Sequence, residues 1–342
     1  MTKRSSSVTI RDVARQAGVS VATVSRLINR NASVSEELSK RVQQVMEELN
    51  YVPHATARQL ALRKTLTIGL LMTNMNNDYF AMLLSGVEQV VSEVGYNLLV
   101  ATYHPNSRDD YPPPLGAHNT DGLLIYADTV SARQIEQYYD RDFPVVLIHR
   151  TPARGINIPY VTVENVKSTR KLIEHLITVH GCRKIVFLRG PESQEDSHSR
   201  ETGFREALAA HDIEFDESLV MRGGFERDIS YKAIKSFLQK PNRPEFDAVF
   251  AGDDNAAIGV LIALKEAGLR VPEDVRVVGF DDLRMSPYLT PSLTTVRAPI
   301  EEVGRSAAMQ LFHLLNGKKA EPAVLHSTTI VLRRSCGCDF QP

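Results

Sequence analysis

Two rhythms divide the chain. Between residues 8 and 64 apolar positions recur at helical spacing. From about residue 66 to 335, short continuous apolar runs alternate with helical stretches. The runs lie at 67–73, 97–102, 122–126, 145–149, 160–163, 184–188, 248–251, 275–280 and 294–296. Runs with so few polar interruptions predict parallel strands covered on both faces. Helical patterns fill the intervals at 81–94, 168–180, 199–210, 231–239 and 255–267. Strand–helix alternation predicts doubly wound sheets, and nine strands exceed one comfortable sheet, so two α/β lobes are expected. The pattern starts again after about Asn165, and a helix at 300–315 is expected to return to the first lobe. One stretch breaks the rhythm. Tyr111-Pro112-Pro113-Pro114-Leu115-Gly116 stands where a crossover helix belongs, and three prolines predict a loop or turn instead.

The first 50 residues carry their own punctuation. Thr9 and Asp12 form a capping-box-like start, after which Ile10, Val13, Ala14 and Ala17 share one face. Gly18 suits the left-handed conformation that ends a helix and allows a tight turn. Ser20 caps a second helix whose apolar face is Val24, Leu27 and Ile28. Ser35, with Glu36 and Glu37 behind it, opens a third, whose core side is Leu38, Val42, Val45, Met46 and Leu49. Two short helices about a glycine turn make a helix-turn-helix. The second would enter a major groove N-terminus first. Val21 and Ala22 then face base edges, Thr23 and Ser25 lie nearer phosphates, and Arg26 can contact a guanine bidentately. Asn29 and Arg30 are candidate phosphate contacts. The residues alone leave a solvated structural cap as the other reading.

Charge favours the first. The whole chain carries a formal −1, but residues 1–64 hold 11 Lys or Arg against 5 Asp or Glu, leaving +6 there and −7 on the remainder. A basic head on an acidic body points to a polyanionic partner for the head. Met1 to Ser7 has basic residues with no apolar run behind them, so no secretory signal is expected, and no 18-residue apolar stretch predicts a membrane span. Three cysteines, Cys182, Cys336 and Cys338, make no disulfide framework and fit a reduced, cytoplasmic setting. Cys336-Gly337-Cys338 is too sparse for a zinc site by itself, so a reduced tail and no metal are expected.

The run Asp12-Val13-Ala14, Gly18-Val19-Ser20, Ala22-Thr23-Val24-Ser25-Arg26 resembles the DNA-binding signature of the lactose/galactose-repressor family of bacterial regulators. Leu49-Asn50-Tyr51-Val52-Pro53 and Ala57-Arg58-Gln59-Leu60-Ala61 resemble its hinge. Asp121-Gly122-Leu123, Arg189-Gly190-Pro191, Arg200 with Gly203-Phe204, Gly268-Leu269-Arg270-Val271-Pro272, Val278-Gly279-Phe280-Asp281-Asp282 and Leu293-Thr294-Thr295-Val296 extend the likeness over nearly the whole chain. The resemblance implies a helix-turn-helix domain at 1–50, a hinge at 51–65 and an effector-binding and dimerisation domain at 66–342. Its lobes would span about 66–165 with 296–322, and 166–295 with 323–335. It also implies a homodimer on a near-palindromic double-stranded operator, acting most naturally as a repressor, and a body like the periplasmic sugar-binding proteins. Pro53 suits a helix start. So short a hinge helix is marginal alone, and the resemblance implies that Leu60 wedges into the minor groove with small Ala57 beside it. The DNA set is then Thr9, Ser20, Val21, Ala22, Thr23, Ser25, Arg26, Asn29, Tyr51, Ala57 and Leu60. No heptad run follows Arg333-Arg334-Ser335, which implies dimers.

The family pattern draws effector contacts from strand C-terminal ends, where open α/β sheets bind ligands. They are Tyr79, Phe80, His149, Arg150, Gln194, Asp196, Arg200, Phe225, Asp253 and Asp281, around a sugar or sugar derivative. The other reading of Tyr79 and Phe80 is lobe core, and that of Asp253 and Asp281 is helix caps. Many relatives carry Asp where His149 stands, so the pair His149-Arg150 suggests an effector with an acidic group, unless Arg150 is taken by Asp196 or Glu164. No Gly-x-x-x-x-Gly-Lys-Ser/Thr loop and no Gly-x-Gly-x-x-Gly after the first strand is present, so neither an enzyme nor a cofactor is expected.

Overall fold

The computed structural model describes residues 8–28, 35–51, 64–104 and 112–339. The chain divides into two compact units, 1–66 and 67–342.

The first unit holds α1 (Ile10–Ala17), α2 (Val21–Ile28) and α3 (Glu36–Glu48). Both the backbone N–H and the hydroxyl of Thr9 donate to Asp12 Oδ2, at 3.0 and 2.7 Å, and fix the first turn of α1. Gly18 closes that helix at φ 67°, and Ser20 opens α2 by accepting from the Thr23 amide at 3.1 Å. Val13, Ala14, Ala17, Val24, Val42 and Val45 bury a small core in which Tyr51 also lies.

The second unit contains two parallel sheets. The first is built from β1 (Thr67–Met72), β2 (Asn97–Thr102), β3 (Gly122–Tyr126), β4 (Val145–Ile148), β5 (Tyr160–Val163) and β11 (Ala323–His326), in the order β11-β5-β4-β3-β1-β2. The second is built from β6 (Ile185–Arg189), β7 (Val220–Arg222), β8 (Ala248–Ala251) and β9 (Arg276–Val278), in the order β7-β6-β8-β9. β10 (Thr295–Arg297) and β12 (Thr329–Val331) pair antiparallel. The helices are α4 (Asp78–Val94), α5 (Ala132–Tyr139), α6 (Val166–His180), α7 (Glu195–Ala209), α8 (Arg227–Leu238), α9 (Asp254–Glu266) and α10 (Ile300–Leu315). β1, β3, β4 and β8 are buried at every position, as continuous apolar runs demand.

Each sheet reverses its winding once, the first between β1 and β3 and the second between β6 and β8. Such a reversal leaves an open crevice at the strand C-terminal ends. Helix α4 lies on α10 at backbone distance. A Cβ on Gly86 would sit 1.9 Å from the Glu301 carbonyl oxygen, and one on Gly304 2.3 Å from that of Leu83.

Two differences from the sequence reading have physical causes, and one expectation is met. Ala323–His326 pairs parallel with β5, so this stretch joins the first lobe's sheet, where the pattern had placed 323–335 in the second. A four-residue edge strand, partly exposed, carries too little periodicity to assign. α5 is a two-turn helix opened by a capping box at Ser131 and Gln134, a signal present in the sequence and passed over. Between β2 and β3 the described residues form no helix, as the three prolines led one to expect. Asn119 instead ties a turn, accepting from the Gly116 amide and donating to the Pro114 carbonyl, both at 3.0 Å.

Candidate DNA-binding face and ligand cleft

On the helix-turn-helix unit, Val21, Ala22 and Arg26 are exposed on α2, and Thr23 and Ser25 are half-buried beside them. Val21 keeps 41% of its surface exposed. Ser20 and Thr23 join hydroxyls at 2.8 Å, which holds the helix start. Two residues of the expected DNA set have other duties. Thr9 is spent on Asp12 as a cap, and Tyr51, 9% exposed, packs in the core. Asn29, Ala57 and Leu60 lie outside the described residues.

In the α/β unit the two switch points face one cleft. From the first lobe come Thr73, Asn74, Tyr79, Phe80, Tyr126 and Asp128. From the second come Gln194, Asp196, Arg200, Phe225, Asp253 and Asp281. The space they line is about 220 Å³ and open to solvent, and it adjoins a second of about 420 Å³ that shares Asp128 and Gln194.

Arg200 organises the second-lobe wall. Its guanidinium donates to Asn165 Oδ1 at 2.9 Å, to the Gly252 carbonyl at 2.7 Å and to Asp281 Oδ1 at 3.1 Å. It lies 3.7 Å above the Phe280 ring and 5.1 Å from that of Phe225. Phe225 itself sits at φ 57°, and its ring passes so close to Gly190 that a Cβ there would fall 2.2 Å from it. Glycine at that strand end is therefore what admits the ring. Asp253 caps α9 by accepting from the Ala256 amide at 2.8 Å, and still lines the cleft. Both readings of Asp253 hold, whereas Asp281 caps no helix. Its φ is 111°, and backbone bonds join it to Val296 and Ala298 on the segment that crosses between lobes. Tyr79 and Phe80 are buried as lobe core and still reach the cleft.

His149 does not line this cleft. Its two ring nitrogens are taken by the Tyr79 hydroxyl at 2.6 Å and by Asp196 at 2.8 Å. Asn165 continues the chain, donating to Asp196 Oδ1 at 2.9 Å while accepting from Arg200. Tyr79–His149–Asp196–Asn165–Arg200–Asp281 is thus one buried polar line that passes from the first lobe to the second. Arg150 turns elsewhere, donating to the Val130 carbonyl at 2.6 Å. It pairs with neither Asp196 nor Glu164; Glu164 accepts from the first amides of α6. Neither residue lines this space, but both line an adjoining one that shares Asp128 and Gln194 with it.

Burial alone would raise Asp196, but His149 and Arg200 outweigh it and hold the carboxyl below its ordinary value. Burial pushes Asp281 up to about 6 although Arg200 opposes it, and pushes Asp253 well up, with Asp281 adding to the rise. A carboxyl with a raised folded-state pKa contributes stability that is full below the ordinary carboxylate range and is lost as pH rises through the raised value. The unliganded protein is therefore expected to lose thermal stability between about pH 4 and 6, and less so in Asp281→Asn. An identical slope in both proteins would remove Asp281 as the source.

Sequence reading missed Tyr126, Asp128 and Asn165. Tyr126 ends β3 and Asp128 follows it, beside β1 at the switch point, so a strand-order argument would have found them. Asn165 carried no local signal.

Comparisons agree with this geometry. Residues 9–54 match the family described as bacterial regulatory proteins, lacI family, and residues 173–336 match a periplasmic binding protein-like domain. An HTH-type transcriptional repressor PurR from Serratia proteamaculans (strain 568) is 35% identical over 334 residues, 96% of each chain. A transcriptional regulator CelR–cellobiose complex superposes with a TM-score of 0.69 at 31% identity, covering 96% of this chain and 99% of that one. A lac repressor dimer bound to operator and the anti-inducer ONPF gives a TM-score of 0.81 at 25% identity, covering 97% and 99%. A helix-turn-helix unit joined to a two-lobed α/β unit with a ligand cleft defines a transcription regulator. The chain belongs to the lacI family of bacterial regulatory proteins. It is a ligand-gated, DNA-binding transcription repressor. No helix among the described residues is long and apolar enough to cross a membrane.

Proposed function

We propose that the protein binds a near-palindromic operator as a homodimer, in the cytoplasm and without catalysis of its own. In this reading a neutral, hydroxyl-rich molecule of sugar type sets its DNA affinity from the inter-lobe cleft. The observation that carries the ligand class is the composition of the cleft wall. Asp128, Asp196, Glu226, Asp253 and Asp281 face it with Arg200 as the one cation among its lining residues. A wall rich in carboxyl groups favours a ligand whose hydroxyls can both donate and accept over one that brings an anion. Tyr79, Phe80, Tyr126 and Phe225 supply faces against which a ring can lie. The CelR complex, with cellobiose bound, supports the sugar class.

A thermal-shift panel of neutral sugars beside their phosphorylated and acid forms tests the reading. Stabilisation by neutral members alone is the expected result, and stabilisation only by the acids overturns it. Closure on the ligand would change the contacts between lobes. Thr151 already donates to Glu195 at 2.9 Å across the cleft mouth, and Gln194 to Asp128 at 3.2 Å. The coupling of ligand to DNA is reciprocal, of order ~1–3 kcal/mol.

On the DNA side, α2 supplies base readout from Val21, Ala22 and Arg26, with phosphate contacts from Thr23 and Ser25. Leu60 and Ala57 complete the reader at the minor groove by the family resemblance. Arg26→Ala is expected to cost about 1–3 kcal/mol of operator affinity and to relax one base position in each half-site. Binding measured against a set of single-base operator variants checks this. Uniform weakening on every sequence would make Arg26 a phosphate contact.

A further inference from the structure

Far from the cleft, four side chains converge that play no part in the function derived above. His175 and His180 stand on the last turns of α6, and Cys336 and Cys338 on the segment that follows β12. Their ligand atoms all lie within 4.8 Å of one another. His175 Nε2 is 3.2 Å from His180 Nε2, 3.4 Å from Cys338 Sγ and 3.9 Å from Cys336 Sγ, and His180 Nε2 is 3.4 Å from Cys338 Sγ. A ring nitrogen has one hydrogen or one lone pair to offer. It cannot serve three neighbours at once, whereas a cation at their centre can.

We propose that His175, His180, Cys336 and Cys338 form a structural Cys2His2 site for a zinc-type divalent cation, which fastens the C-terminal segment to α6. Zinc bonds of about 2.0–2.1 Å to nitrogen and about 2.3 Å to sulfur imply tetrahedral edges of roughly 3.3 Å between nitrogens and roughly 3.6 Å between nitrogen and sulfur. The observed separations bracket those edges. The donor set agrees, since two thiolates and two imidazoles suit zinc better than the oxygen-seeking cations. Four protein ligands leave no open position, which marks a structural centre.

The surroundings are built for it. Gly337, at φ 97°, reverses the chain between the two cysteines so that both sulfurs face one point. The Thr294 hydroxyl donates to Cys336 Sγ at 3.0 Å, and Arg276 Nε donates to the Cys336 carbonyl at 3.1 Å. Outer contacts of this kind orient metal ligands. Arg276 opens β9, so the centre sits at the N-terminal edge of the second sheet, opposite the strand ends that form the cleft. Cys336-Gly337-Cys338 is only half of the motif. The other half lies 156 residues earlier at a helix end, which is why the sequence reading passed it over.

The full chain, purified under reducing conditions, is to be assayed for metal content and then loaded with Co²⁺ after chelation. About one zinc per chain, and visible absorption of tetrahedral cobalt with thiolate charge-transfer bands, are expected. Chelation should lower the melting temperature, and zinc should restore it. Cys338→Ser should lose the bands while keeping its far-UV spectrum. Cys182→Ser, which alters the buried thiol outside the set, should keep them. A reduced wild-type chain that binds neither zinc nor cobalt overturns the proposal, as does octahedral cobalt absorption. Full retention of the bands in Cys338→Ser overturns the assigned ligand set.

Discussion

Arg200→Ala is expected to lower the stability of the α/β unit by about 3–5 kcal/mol, the usual cost of removing one partner from a buried ion pair. Asp281 pairs with this guanidinium, Asp253 and Asp196 feel its charge, and all three are buried. Without it, three carboxyls crowd one cavity, the Gly252 carbonyl loses its donor, and the Phe280 ring loses the cation stacked on it. Effector response should vanish as well, since the lost contacts lie on the cleft wall and on the buried line that joins the lobes. The chain has no tryptophan, so urea unfolding is best followed by circular dichroism. Asp281→Asn adds a second reading. Combined with Arg200→Ala it should cost less than the two changes summed, because the carboxylate left unpaired by the first change is neutralised by the second. Strict additivity would show that the two residues do not act as a pair.

The second large effect is expected at a helix crossing. Alanine in place of glycine inside an exposed helix gains about 1 kcal/mol. At Gly86 the sign should reverse, with a net loss of about 1–3 kcal/mol from overpacking. The new Cβ would meet the backbone of Glu301, which cannot rotate away as a side chain can, so α4 and α10 must part along their contact. Gly304→Ala presents the same difficulty from the other helix against Leu83. Thermal unfolding of both variants checks the sign. A Gly86→Ala protein as stable as the original would show that the helices separate at little cost.

Alternation of apolar runs with helical stretches was enough to read two doubly wound lobes, and the glycine turn between two short apolar faces was enough to read the head. Both are local patterns. Apart from α5, whose capping box is local, what escaped depends on strand order or on partners distant in sequence. Edge strands such as Ala323–His326 are too short to show their period, and their place is decided by pairing with β5. His149 looked like a ligand contact because it ends a strand. Its real duty depends on Tyr79, 70 residues earlier, and Asp196, 47 residues later, and no local spacing announces that. The contacts of Arg150 are equally non-local, since it donates to the backbone carbonyls of Ala127 and Val130. Asp253 shows the limit from the other side, because a single carboxylate both caps α9 and lines the cleft, so the two readings were never exclusive.

The two facing switch points have a consequence for affinity. Each sheet presents its own half of the ligand site, and crossing segments tether the halves. A ligand held by one half therefore meets the other at an effective concentration fixed by the tether, and no longer by the solution. Weak recognition on each side can add to firm binding overall, as in a chelate. The supply of ligand in the cell then governs the first encounter alone, and the length and stiffness of the crossing segments govern the second. Substitutions in those segments should retune sensitivity without altering which molecule is recognised.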